Sequence, residues 1–212
     1  MDKEIRKTWD TISDSWTNLR VKPEEEILKF SKKSENGIVV DLGCGNCRNL
    51  VPFKGKTLVG IDFSKSMIRE AKKYCKKNGL EVSFIIAEVS KLPLKNKIAN
   101  TIIYASTIST IKEKSDRIKS LEEIKRVGKD GFKMILSIWN RWQKRFFWKL
   151  FKSFISGKYP NIHVEWNYHG TICKRFYHLY TTREMKKEII GAGLKIEKIS
   201  RSKGNVWFWV KG

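Results

Sequence analysis

The chain is short of acidic residues, and that shortage is the first thing to constrain it. Only 22 Asp and Glu face 44 Lys and Arg, a formal charge of +22 over 212 residues. Self-repulsion of that size is sustained where a polyanion offsets it, so nucleic acid is the first partner class to consider. The bland alternative is a lysine-rich chain whose charges are simply solvated. Cysteine is also scarce: four residues, at 44, 47, 75 and 173, do not make the disulfide framework of a small secreted domain, and reduced thiols are expected. Cys44 and Cys47 form a C-x-x-C, but a zinc site normally needs a second ligand pair. Only Cys75, Cys173 and three scattered histidines remain, so no metal is expected in this chain. No run approaches the ~18–20 apolar residues of a bilayer span, and no N-terminal stretch has the apolar core of a signal peptide. The expectation is a cytoplasmic protein without a membrane partner.

What is present is enough apolar surface to fold. Hydrophobic residues make up 41% of the chain, with eight Trp and 11 Phe, which excludes intrinsic disorder. The length fits one domain spanning residues 1–212, with no internal repeat or low-complexity linker.

After a polar start, Pro23 and Glu24 to Glu26 open a helix that Lys32 and Lys33 close. Ile38 to Leu42 is a short apolar run of the kind buried on both faces of a parallel sheet. Strands are then predicted at 57–61, 82–87, 101–105 and 132–139, with helices at 64–77 and 116–127. Strands separated by helices indicate a doubly wound α/β fold with a mostly parallel sheet. In the tail, a helix ends at Gly191-Ala192-Gly193, and runs at 195–200 and 206–210 read as an antiparallel hairpin closing the sheet.

Residues 132–160 hold no acid, while aromatics alternate with Lys and Arg. Phe146, Phe147, Leu150, Phe151 and Phe154 share one face of a helix. The expectation is a core helix with a basic face toward RNA; contact with a membrane or a partner groove is the alternative. Segment 140–180 is therefore read as a basic and aromatic substrate-recognition insertion, with Arg141, Lys144 and Arg145 among its RNA-facing residues.

The chemistry is concentrated at strand ends. The first strand runs into Asp41-Leu42-Gly43-Cys44-Gly45-Asn46, where two glycines let backbone and ligand approach closely. Alone this is a weak signal. About twenty residues on, Asp62 ends the second strand in Val59-Gly60-Ile61-Asp62-Phe63-Ser64, where an acid can accept hydrogen bonds from both ribose hydroxyls. Glu88, followed by Val89, ends the third strand near an adenine position, and Ala105 ends the fourth. For any single acid a helix cap or solvated loop is an equal reading; together the three strand ends point to an adenosyl ligand.

In DLGCGNCRNL, VGIDFS and AEVSKLP, in that order, the sequence resembles the class I methyltransferases. That resemblance implies a seven-stranded Rossmann-like sheet binding S-adenosylmethionine, with S-adenosylhomocysteine as product. The loop lacks G-x-G-x-x-G spacing, which disfavours NAD. Cys47 stands where such enzymes commonly have a third glycine, and its side chain is expected to narrow the pocket beside the methionine part of the cofactor.

Ala105-Ser106-Thr107-Ile108 is not the Asn/Asp-Pro-Pro-aromatic motif of adenine amino methylation. No cysteine follows a proline, which disfavours a nucleophilic Cys mechanism on a pyrimidine carbon. A narrower resemblance is carried by Trp9-Asp10-Thr11-Ile12-Ser13 with Arg20, Val164-Glu165-Trp166, Arg175-Phe176-Tyr177-His178-Leu179-Tyr180, and Asn205-Val206-Trp207. These segments look like the tRNA wobble-uridine carboxymethyl methyltransferases, which esterify the carboxylate of 5-carboxymethyluridine. The resemblance implies a cationic clamp, for which Arg20, Arg117, Arg175 and His178 are candidates. It also implies base-contacting residues among Trp166, Tyr177, Asn205 and Trp207, tRNA as partner, and a small zinc-binding activator subunit. Ile108 and Ser109 stand where that family usually carries one or two histidines, and Glu165 where it commonly has proline. A small-molecule acceptor, or a catalytically silent RNA-binding subunit, are the competing readings.

Overall fold

A computed structural model describes residues 2–212. The expected strands form because each is a short β-branched or aliphatic run that can be covered on both faces. β1 (Ile38–Leu42), β2 (Thr57–Asp62), β3 (Val82–Ile86), β4 (Ala99–Ala105) and β5 (Gly128–Trp139) are parallel. β8 (Lys195–Ser202) and β9 (Asn205–Lys211) form the expected hairpin, with β9 antiparallel to β5. The seven strands lie in the order β3-β2-β1-β4-β5-β9-β8. Successive strands are added outward in opposite senses from β1 and β4, so the crevice for a ligand opens at the carboxyl ends of those two parallel strands.

α3 (Lys65–Asn78) follows β2 directly: Ser64 accepts the Met67 N–H at 3.0 Å, and Gly79 closes the helix with φ +61°. α2 (Glu25–Ser31), α4 (Lys114–Val127) and α6 (Thr182–Gly191) occupy the expected positions. α6 begins in a capping box between Thr181 and Glu184, an arrangement that satisfies two orphan N–H groups reciprocally. The core lies on both faces of the sheet. One face gathers Val40, Ile102, Tyr104, Leu121, Leu136 and Phe208; the other gathers Phe30, Val39, Leu50, Ile103, Ile135 and Trp209.

Two features depart from the sequence expectation. The polar start is a 17-residue helix, α1 (Lys3–Leu19), capped by Asp2. It lies against α3 and crosses the strand β7 (Thr171–His178), which pairs antiparallel with β6 (Asn161–Tyr168) in a separate two-stranded sheet. Asp10 of α1 fixes the helix over the site by accepting from Ser64 Oγ at 2.6 Å and Ser66 N at 3.0 Å. The helix predicted after Trp142 is a 3₁₀ turn at Lys144–Phe146 running into α5 (Phe147–Ile155). Among the described residues no helix is long and apolar enough to cross a membrane.

Candidate active site

A cleft of about 870 Å³, counting its open mouth, lies at the carboxyl ends of β1, β2 and β4, within the size range of small-molecule sites. Its floor is the loop after β1. Gly43 there has φ +67°, and a Cβ would fall 2.3 Å from Thr107 Oγ1, so the turn and the packing of Thr107 both require glycine. Thr107 donates to the Leu42 carbonyl at 3.1 Å, tying the loop to the end of β4.

Asp62 lines the cleft and is 6% exposed. Its carboxylate accepts from Gly45 N and Ser64 N, both at 2.9 Å, which fixes its orientation and leaves lone pairs for a ligand diol. Burial pushes its pKa up to about 6. Asp41, buried behind it, is raised to about 7 by burial and by the Asp62 charge. Phe63, Cys44 and Ala105 complete this wall, and burial raises the Cys44 thiol to about 11, so it is an inert lining group. Glu88 and Val89 line an adjoining depression that meets the main cleft at Thr110. Asn46 is fully buried under the loop, its amide donating to the Arg20 carbonyl at 2.8 Å. A buried carboxylate for a diol, a glycine turn without side chains, and an adjoining depression with Glu88 and Val89 at its edge together fit an adenosyl ligand.

The opposite wall is cationic. Arg20 and Arg48 flank the Trp16 ring, their guanidinium carbons 5.9 and 6.0 Å from its centroid. Arg48 is paired with Glu24 at 2.5 Å. Arg20 makes no ion pair within 4 Å among the described residues; burial and the neighbouring Arg48 charge lower its pKa, opposed by the Glu24 carboxylate, which also lines the cleft. Arg175 enters from β7 and is 6% exposed. It lies 4.7 Å from the Trp166 centroid and 5.6 Å from that of Tyr177. Its Nη1 donates to Tyr177 Oη at 3.2 Å, and its Nε has no partner. No carboxylate pairs with it among the described residues. A buried guanidinium normally has a counter-ion, and here the cleft is where one would sit. Tyr177 stacks on Trp139, with centroids 4.1 Å apart at 14°, and both line the cleft beside Asn205.

The structure separates the remaining sequence candidates from this cleft. Arg117 is buried on α4, where Nη1 donates to the Ile111 and Lys112 carbonyls at 3.1 and 2.8 Å; it braces the loop before its own helix. His178 is held through both ring nitrogens, by Asn161 Oδ1 and Glu184 Oε1 at 2.8 Å each. Arg141 donates to the Leu179 carbonyl and to Glu184, both at 2.7 Å, and is 8% exposed. Arg141 and His178 are engaged by local partners, and Arg117 braces its own loop through Nη1 while its Nε has no partner; none of the three lines the cleft. Trp207 is 1% exposed within the core. Trp166 stands behind Arg175 and donates its indole N–H to Ser15 at 2.9 Å, so it backs the clamp. Lys144 borders a groove outside the cleft, and Arg145 lies 5.0 Å over the Trp139 ring.

The two departures from the resembled families are also located. Cys47, at φ +63°, turns its thiol toward Gly60 and Cys75: a Cβ on Gly60 would come within 2.9 Å of its sulfur. It does not line the cleft, so the expected narrowing does not occur. Ser109 is fully buried in the 3₁₀ turn Ile108–Thr110 and leaves the lining to Thr107 and Thr110.

Arg48, Trp9, Trp16, Thr107 and Trp139 line the cleft without having been proposed as site residues, Trp9 and Thr107 having been read only as parts of longer segments. A signal existed for two of them: Ile5, Trp9, Ile12 and Trp16 recur at helical spacing.

Comparison with known proteins decides the family. A model of the methyltransferase domain family matches residues 33–172, about two thirds of the chain and all of the nucleotide wall. The chain belongs to the S-adenosylmethionine-dependent methyltransferases. A methyltransferase of that class from Methanosarcina mazei superposes with TM-score 0.72 at 16% identity, covering 84% of this chain and 93% of that one. The methyltransferase solved with the Trm112 activator from Haloferax volcanii superposes with TM-score 0.68 at 16% identity, covering 100% and 98%. In sequence, the enzyme is 25% identical over 138 residues to the tRNA (carboxymethyluridine(34)-5-O)-methyltransferase of Arabidopsis thaliana, which is 65% of this chain and 33% of that one. The corresponding mouse protein is 22% identical over 65% of this chain and 20% of its own length. This methyltransferase thus spans a third or less of those two relatives.

Proposed function

We propose that this methyltransferase esterifies the carboxylate of 5-carboxymethyluridine at the wobble position of tRNA. The observation that carries the reading is Arg175: a buried guanidinium at the cleft, without a carboxylate partner among the described residues, on the same wall as Arg20. Such a wall favours an anionic acceptor. The +22 charge suits a polyanionic carrier, and the names of the Arabidopsis and mouse relatives support this acceptor.

S-adenosylmethionine would supply an electrophilic methyl on sulfonium; Asp62 would hold its ribose, Gly43 to Gly45 would leave room for it, and Glu88 and Val89 would border the adenine. A carboxylic acid of pKa near ~4 is already ionised at neutral pH, so the chain needs no general base. The acceptor oxygen provides the electron pair for the new O–CH3 bond, and the S–CH3 pair stays on sulfur. Arg175 and Arg20 orient the acceptor, the face of Tyr177 supports the base, and Trp16 with α1 shields the reacting atoms from water. Catalysis is then mostly alignment at roughly 3–3.5 Å. Segment 140–180 acts as the substrate-recognition insertion, and a small zinc-binding activator is the protein partner, in line with the Haloferax neighbour.

The test is transfer of labelled methyl to bulk tRNA, with and without such an activator, followed by mild alkali. Alkali-released label is expected. Alkali-stable label moves the acceptor to nitrogen, carbon or ribose. No label in tRNA with the activator present, despite cofactor binding, rejects the RNA reading.

A further inference from the structure

α5 turns one face inward and leaves the other bare. Phe146, Leu150 and Ser153 are buried, while Phe147, Trp148, Phe151 and Phe154 on the other face are 50–70% exposed. Trp142 at 71% and Tyr159 at 42% extend the same surface. A cluster of large apolar side chains this exposed marks an interaction site. Its charge is one-sided. Between Asp130 and Glu165 the chain has no acid, and the exposed Lys144, Arg145, Lys152 and Lys158 have no acidic partner among the described residues. The helix that carries this surface is braced against the wall of the active site: Tyr177 stacks on Trp139, and Trp139 on the buried Phe146 at 5.6 Å and 14°, so the exposed rings lie on the far side of a helix anchored to the cleft wall.

We propose that this face is a stacking platform for unpaired bases of the RNA substrate, seated beside the cleft. The inference rests on the tRNA reading. Exposed cations meet phosphates, while exposed aromatic rings meet base faces, a combination that holds single-stranded nucleic acid with little sequence preference. Six of the seven large exposed side chains on this surface are aromatic, Ile155 being the seventh; planar partners fit that composition better than acyl chains do. The anticodon loop of a tRNA presents such bases next to the nucleotide to be modified.

The test uses the full chain and a triple variant, Trp148→Ala, Phe151→Ala and Phe154→Ala, whose side chains all lie outside the core. Affinity for a fluorescein-labelled single-stranded RNA is read by anisotropy, together with cofactor affinity, thermal melting and sedimentation with vesicles of anionic phospholipid. A stacked base is worth about 5- to 150-fold in affinity, so the variant is expected to bind RNA at least about tenfold more weakly, with cofactor affinity and melting unchanged. Unchanged RNA affinity overturns the proposal, and loss of vesicle binding alone reassigns the face to a lipid surface. The two readings fail separately. Tight, patch-dependent RNA binding without methyl ester formation removes the proposed reaction only; ester formation with a fully active triple variant removes the platform only.

Discussion

Replacing Arg175 with methionine should move stability and activity in different directions, because the guanidinium serves the ligand more than the fold. In the folded protein it gains one hydrogen bond to Tyr177 Oη, worth about 1 kcal/mol. It also gains two ring contacts, each worth about 0.5–2 kcal/mol. Against these stands the desolvation of a 94%-buried ion without a counter-ion, which costs several kcal/mol. Methionine keeps the length and apolar contacts without that cost, so unfolding free energy should change by less than about 1 kcal/mol or rise. Transfer should suffer instead. A hydrogen bond to a charged group contributes about 1.5–3 kcal/mol, which predicts a loss in kcat/KM of about 12- to 150-fold, and more if the contact is bidentate. Denaturant unfolding, calorimetric cofactor titration and labelled-methyl kinetics on tRNA read the three quantities. A variant destabilised by more than about 2 kcal/mol that keeps kcat/KM within about threefold would show Arg175 to be a packing residue and refute the reasoning.

Three further outcomes follow from the same geometry. With the Asp62 pKa raised to about 6, a ligand diol that favours the ionised carboxylate binds with proton release. Cofactor affinity should therefore fall by up to about tenfold per pH unit below that value, measured by titration calorimetry in two buffers; a flat profile contradicts it. Asp41 ionises near ~3.9 when unfolded but only at about 7 when folded. The unfolded chain thus binds fewer protons between these values, so stability falls as pH rises from 4 to 7, and Asp41→Asn should shrink the difference between pH 5 and pH 8 unfolding curves. His178→Ala should lower stability by about 1–3 kcal/mol by breaking the Asn161–His178–Glu184 connection, with cofactor affinity unchanged; a large loss of affinity would return His178 to the site.

The parallel sheet was readable because its strands contain short, nearly continuous apolar runs, a pattern fixed by burial on both faces, the first two leading into Gly43 and Asp62. The nucleotide wall was readable for the same reason: Gly43, Gly45 and Asp62 are forced by turn geometry and ligand chemistry at strand ends. α1 was hidden by its charged residues, since only its periodic Ile and Trp face inward. The cationic wall was half legible. Arg20 and Arg175 stand at the cleft, but Arg117 and His178 have the same chemistry in local sequence, and only tertiary contacts show them held away from the cleft by other partners. The β6–β7 pair alternates weakly, with Trp166 and Arg175 meeting across it, and its role as a wall of the site depends on α1 lying against it.

The most direct test compares two anticodon stem-loops that differ at one group, a 5-carboxymethyluridine and its neutral 5-carbamoylmethyl counterpart, as acceptors for the enzyme in the presence of the proposed zinc-binding activator. If Arg175 and Arg20 hold a carboxylate, nucleoside mass analysis will find one added methyl on the acid and none on the amide. Equal methylation of both, or methylation elsewhere in the stem-loop, would contradict the account.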